Sequence, residues 1–200
     1  MIARRINGNK KDEPKLIFDL PLISSAANFD RISGQQILGD GIQYFNGYTR
    51  LQGQGVQAIN PPRITGLDLS SIIQPNQPYQ SFTREFEINI QSLAYAAIAV
   101  LVHVGRLQTT LGLPYQISVH ELTTTLNKWF KVKEVYDMDL LQRKRYLDDK
   151  LVATYQWDTP PINSTSASFS TIILNGTIYN AASTSVAFFR NIKYWKGIKE

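Results

Sequence analysis

Phe82–Ile90, FTREFEINI, carries a period of two. Phe82, Arg84, Phe86, Ile88 and Ile90 fall on one side, and Thr83, Glu85, Glu87 and Asn89 on the other. Successive side chains of a β-strand point to opposite faces, so this pattern predicts a strand with one buried face. Four of the five residues on the first side are apolar, and the second side is polar throughout. Trp129–Asp137, WFKVKEVYD, alternates likewise, with Trp129, Lys131, Lys133 and Val135 opposing Phe130, Val132, Glu134 and Tyr136. Lys144–Tyr155, KRYLDDKLVATY, predicts a strand, a turn at Asp148-Asp149 and a second strand. Ile42–Leu51, IQYFNGYTRL, predicts two short strands around an Asn46-Gly47 turn, a strong hairpin signal.

Outward from these segments the texture is the same. Leu16–Leu20 predicts a first strand, stopped by Pro21. Residues 22–41 are mixed and punctuated by Gly34, Gly39 and Gly41. The stretch 52–81 is rich in Pro and Gly and predicts a long connection or insertion, with one helical turn near Leu67–Ile72. Tyr95–Val104, YAAIAVLVHV, is a continuous apolar run whose β-branched content favours a central strand covered on both faces. Tyr115–Glu121, Phe169–Leu174 and Phe188–Trp195 supply further strands. Many short strands with turn signals between them, and almost no helix, predict an all-β sandwich or barrel.

At 200 residues the chain fits one domain, or one domain with an arm. It contains no cysteine, which excludes disulfide frameworks, thiolate nucleophiles and Cys-ligated zinc together. No apolar run approaches the roughly 18 residues of a membrane-spanning helix. The polar start, MIARRINGNKKDEPK, lacks the apolar core of a secretory signal, so none is expected. The formal charge of +5 is uneven. Residues 1–15 carry Arg4, Arg5, Lys10, Lys11 and Lys15 against Asp12 and Glu13, a net +3. Residues 190–200 carry Arg190, Lys193, Lys196 and Lys199 against Glu200, again +3. Both ends are therefore basic and the body is nearly neutral. Such ends either face water or contact something acidic: nucleic acid, a membrane surface or a partner subunit.

The order of these segments resembles the concanavalin A-like (laminin-G-type) jelly roll, from about residue 16 to 197. IQYFNGYTRL is similar to that family's early strand pair. FTREFEINIQ is similar to a strand in which Trp is common where Phe86 stands here. The most specific element is WFKVKEVYD followed by RYLDDKLVATY, with Asp149 in place of the usual turn glycine. FFRNIKYWKG resembles the closing strand found in phage tail and adhesin versions. The resemblance implies a jelly-roll β-sandwich over residues 16–200 behind an extended basic arm, 1–15. It also implies that the first and last strands lie side by side, which would bring the two basic ends together as one patch. Arg4, Arg5, Lys10, Lys11, Lys15, Arg190, Lys193 and Lys196 are the candidate attachment residues.

Catalytic patterns are weak. Glycosidases of this fold use an E-x-D-x-x-E strand; Glu85 and Glu87 lack the central Asp and third carboxylate and are expected on the solvent face. His103 sits in an apolar run, and His120 precedes Glu121 without an HExxH helix. No G-x-S-x-G or phosphate-binding loop occurs. Asp148 and Asp149 could join a calcium site but are more simply a turn. The sequons at Asn163 and Asn175 carry meaning only on a secretion route. Tyr44, Tyr48, Tyr115, Tyr155 and Trp157 are candidates for stacking on sugars, although most aromatics of a sandwich are core.

The sequence therefore leads to a non-enzymatic virion protein of a bacteriophage: a capsid-decorating, head-fibre or tail-associated subunit, assembled in the host cytoplasm. It would need no cofactor or metal and would hold capsid, portal or tail subunits, or further copies of itself, with no membrane partner. Nucleic-acid contact would be confined to the basic ends. The alternative is a carbohydrate-binding, lectin-like module of a tail fibre or adhesin.

Overall fold

The computed structural model describes residues 13–52, 54–55, 62–74, 76–92, 101–104, 126–161, 172–177 and 186–200. These residues contain thirteen strands and one turn of 3-10 helix, Ser25–Ala27. The strands are β1 (Lys15–Leu20), β2 (Ile37–Leu38), β3 (Ile42–Phe45), β4 (Tyr48–Gln52), β5 (Gln54–Gly55), β6 (Arg63–Ile64) and β7 (Phe82–Ser92). They continue with β8 (Leu101–Val104), β9 (Trp129–Asp137), β10 (Gln142–Leu147), β11 (Lys150–Gln156), β12 (Ile172–Thr177) and β13 (Val186–Lys196).

Eight strands form one sheet in the order β11-β10-β9-β7-β13-β4-β3, with β1 also on β13. All its pairings are antiparallel. The eleven-residue β13 is the organiser: β7 runs along one edge, while the other edge carries β4 beside Val186–Phe189 and β1 beside Ile192–Lys196. A smaller sheet, β2-β6-β12-β5 with β8 on β12, faces it and completes a β-sandwich. First and last strands do lie side by side, with Lys15 opposite Lys196.

Alternation explains the core. Phe18, Leu20, Leu51, Phe86, Ile88, Phe189 and Ile192 point inward from the large sheet, and Ile37, Ile64, Ile172 and Leu174 from the small one. Each such side chain contributes roughly 1.5–3 kcal/mol on burial. The described part of 52–81 packs into this core through Leu67, Leu69, Ile72, Ile73 and Tyr79. Its single turn is closed by the N–H groups of Ile72 and Ile73 donating to the Leu69 carbonyl. Residues 1–12, 93–100 and 105–125 lie outside the described residues, and with them the arm residues Arg4, Arg5, Lys10 and Lys11, the Tyr115–Glu121 segment and His120.

Both hairpins form where the sequence places them. Gly47 takes φ 91°, and Asp148 and Asp149 both take left-handed backbone, at 47° and 64°. Asp148 earns its position: its side chain accepts from the Lys131 N–H at 2.9 Å, and its own N–H donates to the Lys131 carbonyl. Asp149 bonds only outward, to the exposed Lys131 ammonium at 2.9 Å. Left-handed backbone disfavours any residue with a Cβ, so Asp149→Gly should raise the thermal midpoint by about 2–4 °C. A lowered midpoint would mean that the Lys131 pair outweighs the backbone strain.

Candidate functional site

Cross-strand register sorts the large sheet's outer side chains into rows. One row reads Gln43, Arg50, Phe188, Asn89 and Trp129 across β3, β4, β13, β7 and β9. The next contains Phe45 opposite Tyr48, then Arg190, Glu87 and Lys131. Where the two rows meet, four aromatic rings gather on the outside of the sandwich. Tyr48 is the hub, with ring centroids 5.1 Å from Phe45, 4.8 Å from Phe188 and 5.9 Å from Trp129. Phe45 is 41% exposed. Aromatic rings clustered on a solvent face, away from the core, mark a surface that is dry only when something covers it.

Beside the rings opens a shallow cleft of about 470 Å³, lined by Ile23, Ser24, Asn46, Gly47, Glu87, Arg190 and Asn191. Its polar floor is built from one carboxylate. Glu87 accepts from Arg190 Nε at 2.8 Å and Nη2 at 2.7 Å on Oε2, and from Asn191 Nδ2 at 2.8 Å on Oε1. The Arg190 guanidinium lies 4.3 Å from the Trp129 ring centroid, a cation–π contact that ties cleft to platform. A bulge makes this possible. The β13/β7 register shifts between Arg190 and Lys193, and Asn191 takes φ 55° with its N–H on the Pro21 carbonyl at 2.8 Å. Bulges re-aim side chains, and asparagine tolerates left-handed backbone better than most residues. The wall is fixed by the Gly47 N–H donating to the Ile23 carbonyl at 2.8 Å.

Glu85 and Glu87 are thus on the outer face, as alternation predicts, and each is tied to a cation. Glu85 bonds Lys199 at 3.1 Å, and Glu87 bonds Arg190. Among the described residues no group of three His, Cys, Asp or Glu could hold a metal ion.

Of the attachment residues, Lys15 and Lys196 meet as cross-strand partners, and Lys193 stands between Asp19 and Glu85 in the register. Arg190 does not join them. It lies six residues up β13 from Lys196, roughly 20 Å along the strand, and is committed to Glu87 and Trp129. Of the aromatic candidates, Tyr48 is the hub of the outer platform. Tyr44 packs against the core, Trp157 stacks behind Tyr136, and Tyr155 carries the Arg143 guanidinium at 3.9 Å. Tyr115 lies outside the described residues. Sequence patterning assigns no functional role to Phe45, Phe188 or Asn191. The parity of WFKVKEVYD did place Trp129 opposite the core-facing Phe130, a signal that pointed to an exposed aromatic.

A second cluster lies inside. Tyr194, Arg84, Glu134 and Arg145 form one inward row across β13, β7, β9 and β10. Glu134 Oε2 accepts from Arg84 Nε at 2.6 Å and from the Tyr136 hydroxyl at 3.1 Å, and Oε1 accepts from Arg145 Nε at 2.9 Å. Arg84, Glu134 and Arg145 are essentially fully buried. Burial alone would push the Glu134 carboxyl up, but the Arg84, Arg145 and Arg143 guanidiniums hold it down at about 2. Burial pushes the Tyr136 phenol up to about 12. This row is sealed from solvent and is structural.

No protein-family model matches the chain, and no curated protein matches it. Solved structures do. The binding domain of botulinum neurotoxin serotype D/C superposes with a TM-score of 0.63 at 16% identity, covering 93% of this chain and 50% of that one. The serotype D binding domain gives 0.64 at 13% identity, covering 93% and 48%. A serotype D/C binding domain in complex with SialylT gives 0.61 at 15%, covering 93% and 49%. The likeness is one of fold. The chain spans about half the length of these neighbours, all of which are binding domains.

Proposed function

We propose that this chain is a non-catalytic recognition module, of concanavalin A-like type, that binds carbohydrate on the outer face of its large sheet. One observation carries this: the Phe45–Tyr48–Phe188–Trp129 platform adjoins a cleft floored by Glu87, Arg190 and Asn191. Sugars present an apolar C–H face and a polar rim. An aromatic platform removes the first from water while fixed carboxylate and amide groups satisfy the second. Support of a weaker kind comes from neighbours of the same fold, one solved with a sialyl ligand and one described through its interaction with two ganglioside molecules. Calorimetric titration with a panel of oligosaccharides, repeated on Tyr48→Ala, tests the proposal.

A second proposal is attachment to a larger assembly, such as a phage virion, through the basic ends. The pairing of β1 with β13, which sets Lys15 beside Lys196, favours it. Deleting residues 1–15 would then abolish assembly while leaving sugar binding intact; unchanged assembly would remove the arm from the account.

A further inference from the structure

The electrostatics of the cleft also select among sugars. Building on the carbohydrate-binding proposal, we infer that the ligand is a neutral pyranose offering a ring hydroxyl to Glu87 Oε1, and that an acidic sugar is disfavoured there. Glu87 supplies the first reason. Its Oε2 already accepts from both Arg190 Nε and Nη2, whereas Oε1 accepts only from Asn191 Nδ2 and retains capacity for one more donor. The carboxylate therefore offers one open position, which a sugar hydroxyl can fill. Its orientation is set before any ligand arrives, because Arg190 is held between the carboxylate and the Trp129 ring. Preorganised acceptors of this kind lose little freedom on binding.

Charge supplies the second reason. Glu87 and Arg190 neutralise each other at 2.7 Å, so the floor offers an incoming anion no net attraction. Two further cations of the face are engaged elsewhere. Lys131 bonds Asp149 at 2.9 Å, and Arg50 lies in the neighbouring row, where Nη1 contacts the Gln43 amide oxygen at 3.3 Å. A sugar carboxylate entering the cleft would meet Glu87 as well as Arg190, so its desolvation would go uncompensated. The platform supplies the third. Tyr48 and Phe45 stack 16° from parallel and, with Ile23 at 36% exposure, give the cleft an apolar rim against which a pyranose ring can lie.

The test uses lactose and 3′-sialyllactose as probes, with 3-deoxy and 4-deoxy galactosides as hydroxyl-deletion controls, titrated calorimetrically into the whole chain. Lactose is expected to bind at least tenfold more tightly than the sialylated form, with one deoxy sugar weakened at least tenfold. Glu87→Gln should narrow the gap between neutral and sialylated probes. Equal or tighter binding of 3′-sialyllactose, abolished by Tyr48→Ala, would overturn the neutral-sugar inference while leaving carbohydrate binding at this face intact. No heat and no saturable signal with any probe would overturn both.

Discussion

Glu134→Gln is expected to destabilise the fold by about 3–5 kcal/mol, read as a shift in denaturant midpoint at constant slope. The substitution keeps the shape and removes the charge. It leaves three buried arginine side chains without the carboxylate that Arg84 and Arg145 bond and Arg143 approaches to 3.8 Å. Removing one partner of a buried pair costs far more than the pair contributes, because the remaining charge was desolvated on folding. A domain of this kind holds about 5–15 kcal/mol in all, so the variant should be marginal at 37 °C. The wild type should show the matching pH dependence. Glu134 titrates at about 2 in the folded chain against an ordinary value of 4.5. A depressed carboxyl contributes stability that is fully present above pH 4.5 and is lost as the pH falls toward 2. Acid should therefore destabilise the wild type across that window, and Glu134→Gln should lose this part of the slope. A cost below about 1 kcal/mol would mean that water reaches the cluster.

Tyr48→Ala is expected to weaken sugar binding by ten- to a hundredfold, or about 1.4–2.8 kcal/mol. Tyr48 touches Phe45, Phe188 and Trp129, so its removal opens the centre of the platform. The core behind it is formed by its inward neighbours Thr49 and Leu51, so the fold should survive. A thermal midpoint within a few degrees of wild type would confirm that binding, and not folding, was lost. Unchanged affinity in a folded variant would move the binding surface elsewhere.

The strands were legible because a half-buried strand writes its period into the chain. FTREFEINI and WFKVKEVYD both match their observed strands, and the Asn46-Gly47 and Asp148-Asp149 turns fall where local chemistry puts them. Arg84 and Glu134 show where such legibility ends. Each stands out as a charge on an otherwise apolar face, which signals a buried partner but does not name one. They are fifty residues apart, and only the β7/β9 register sets them opposite each other. The candidate site was less legible for the same reason. Phe45, Tyr48, Phe188 and Trp129 come from four strands, and their meeting depends on β13 lying between β4 and β7. Its neighbours in sequence group Arg190 with the basic end. A one-residue bulge at Asn191 and the Glu87 carboxylate across the sheet place it in the cleft instead.

The three tryptophans give the most direct measurement. Trp129 belongs to the outer platform, Trp157 stacks behind Tyr136, and Trp195 carries the Lys199 ammonium at 3.8 Å near the basic end. Each indole N–H gives its own signal in a proton–nitrogen correlation spectrum, which can be followed during titration with lactose. Binding at the platform predicts that the Trp129 signal moves saturably while those of Trp157 and Trp195 stay in place. A static Trp129 signal, or movement confined to Trp195, would contradict carbohydrate recognition on this face.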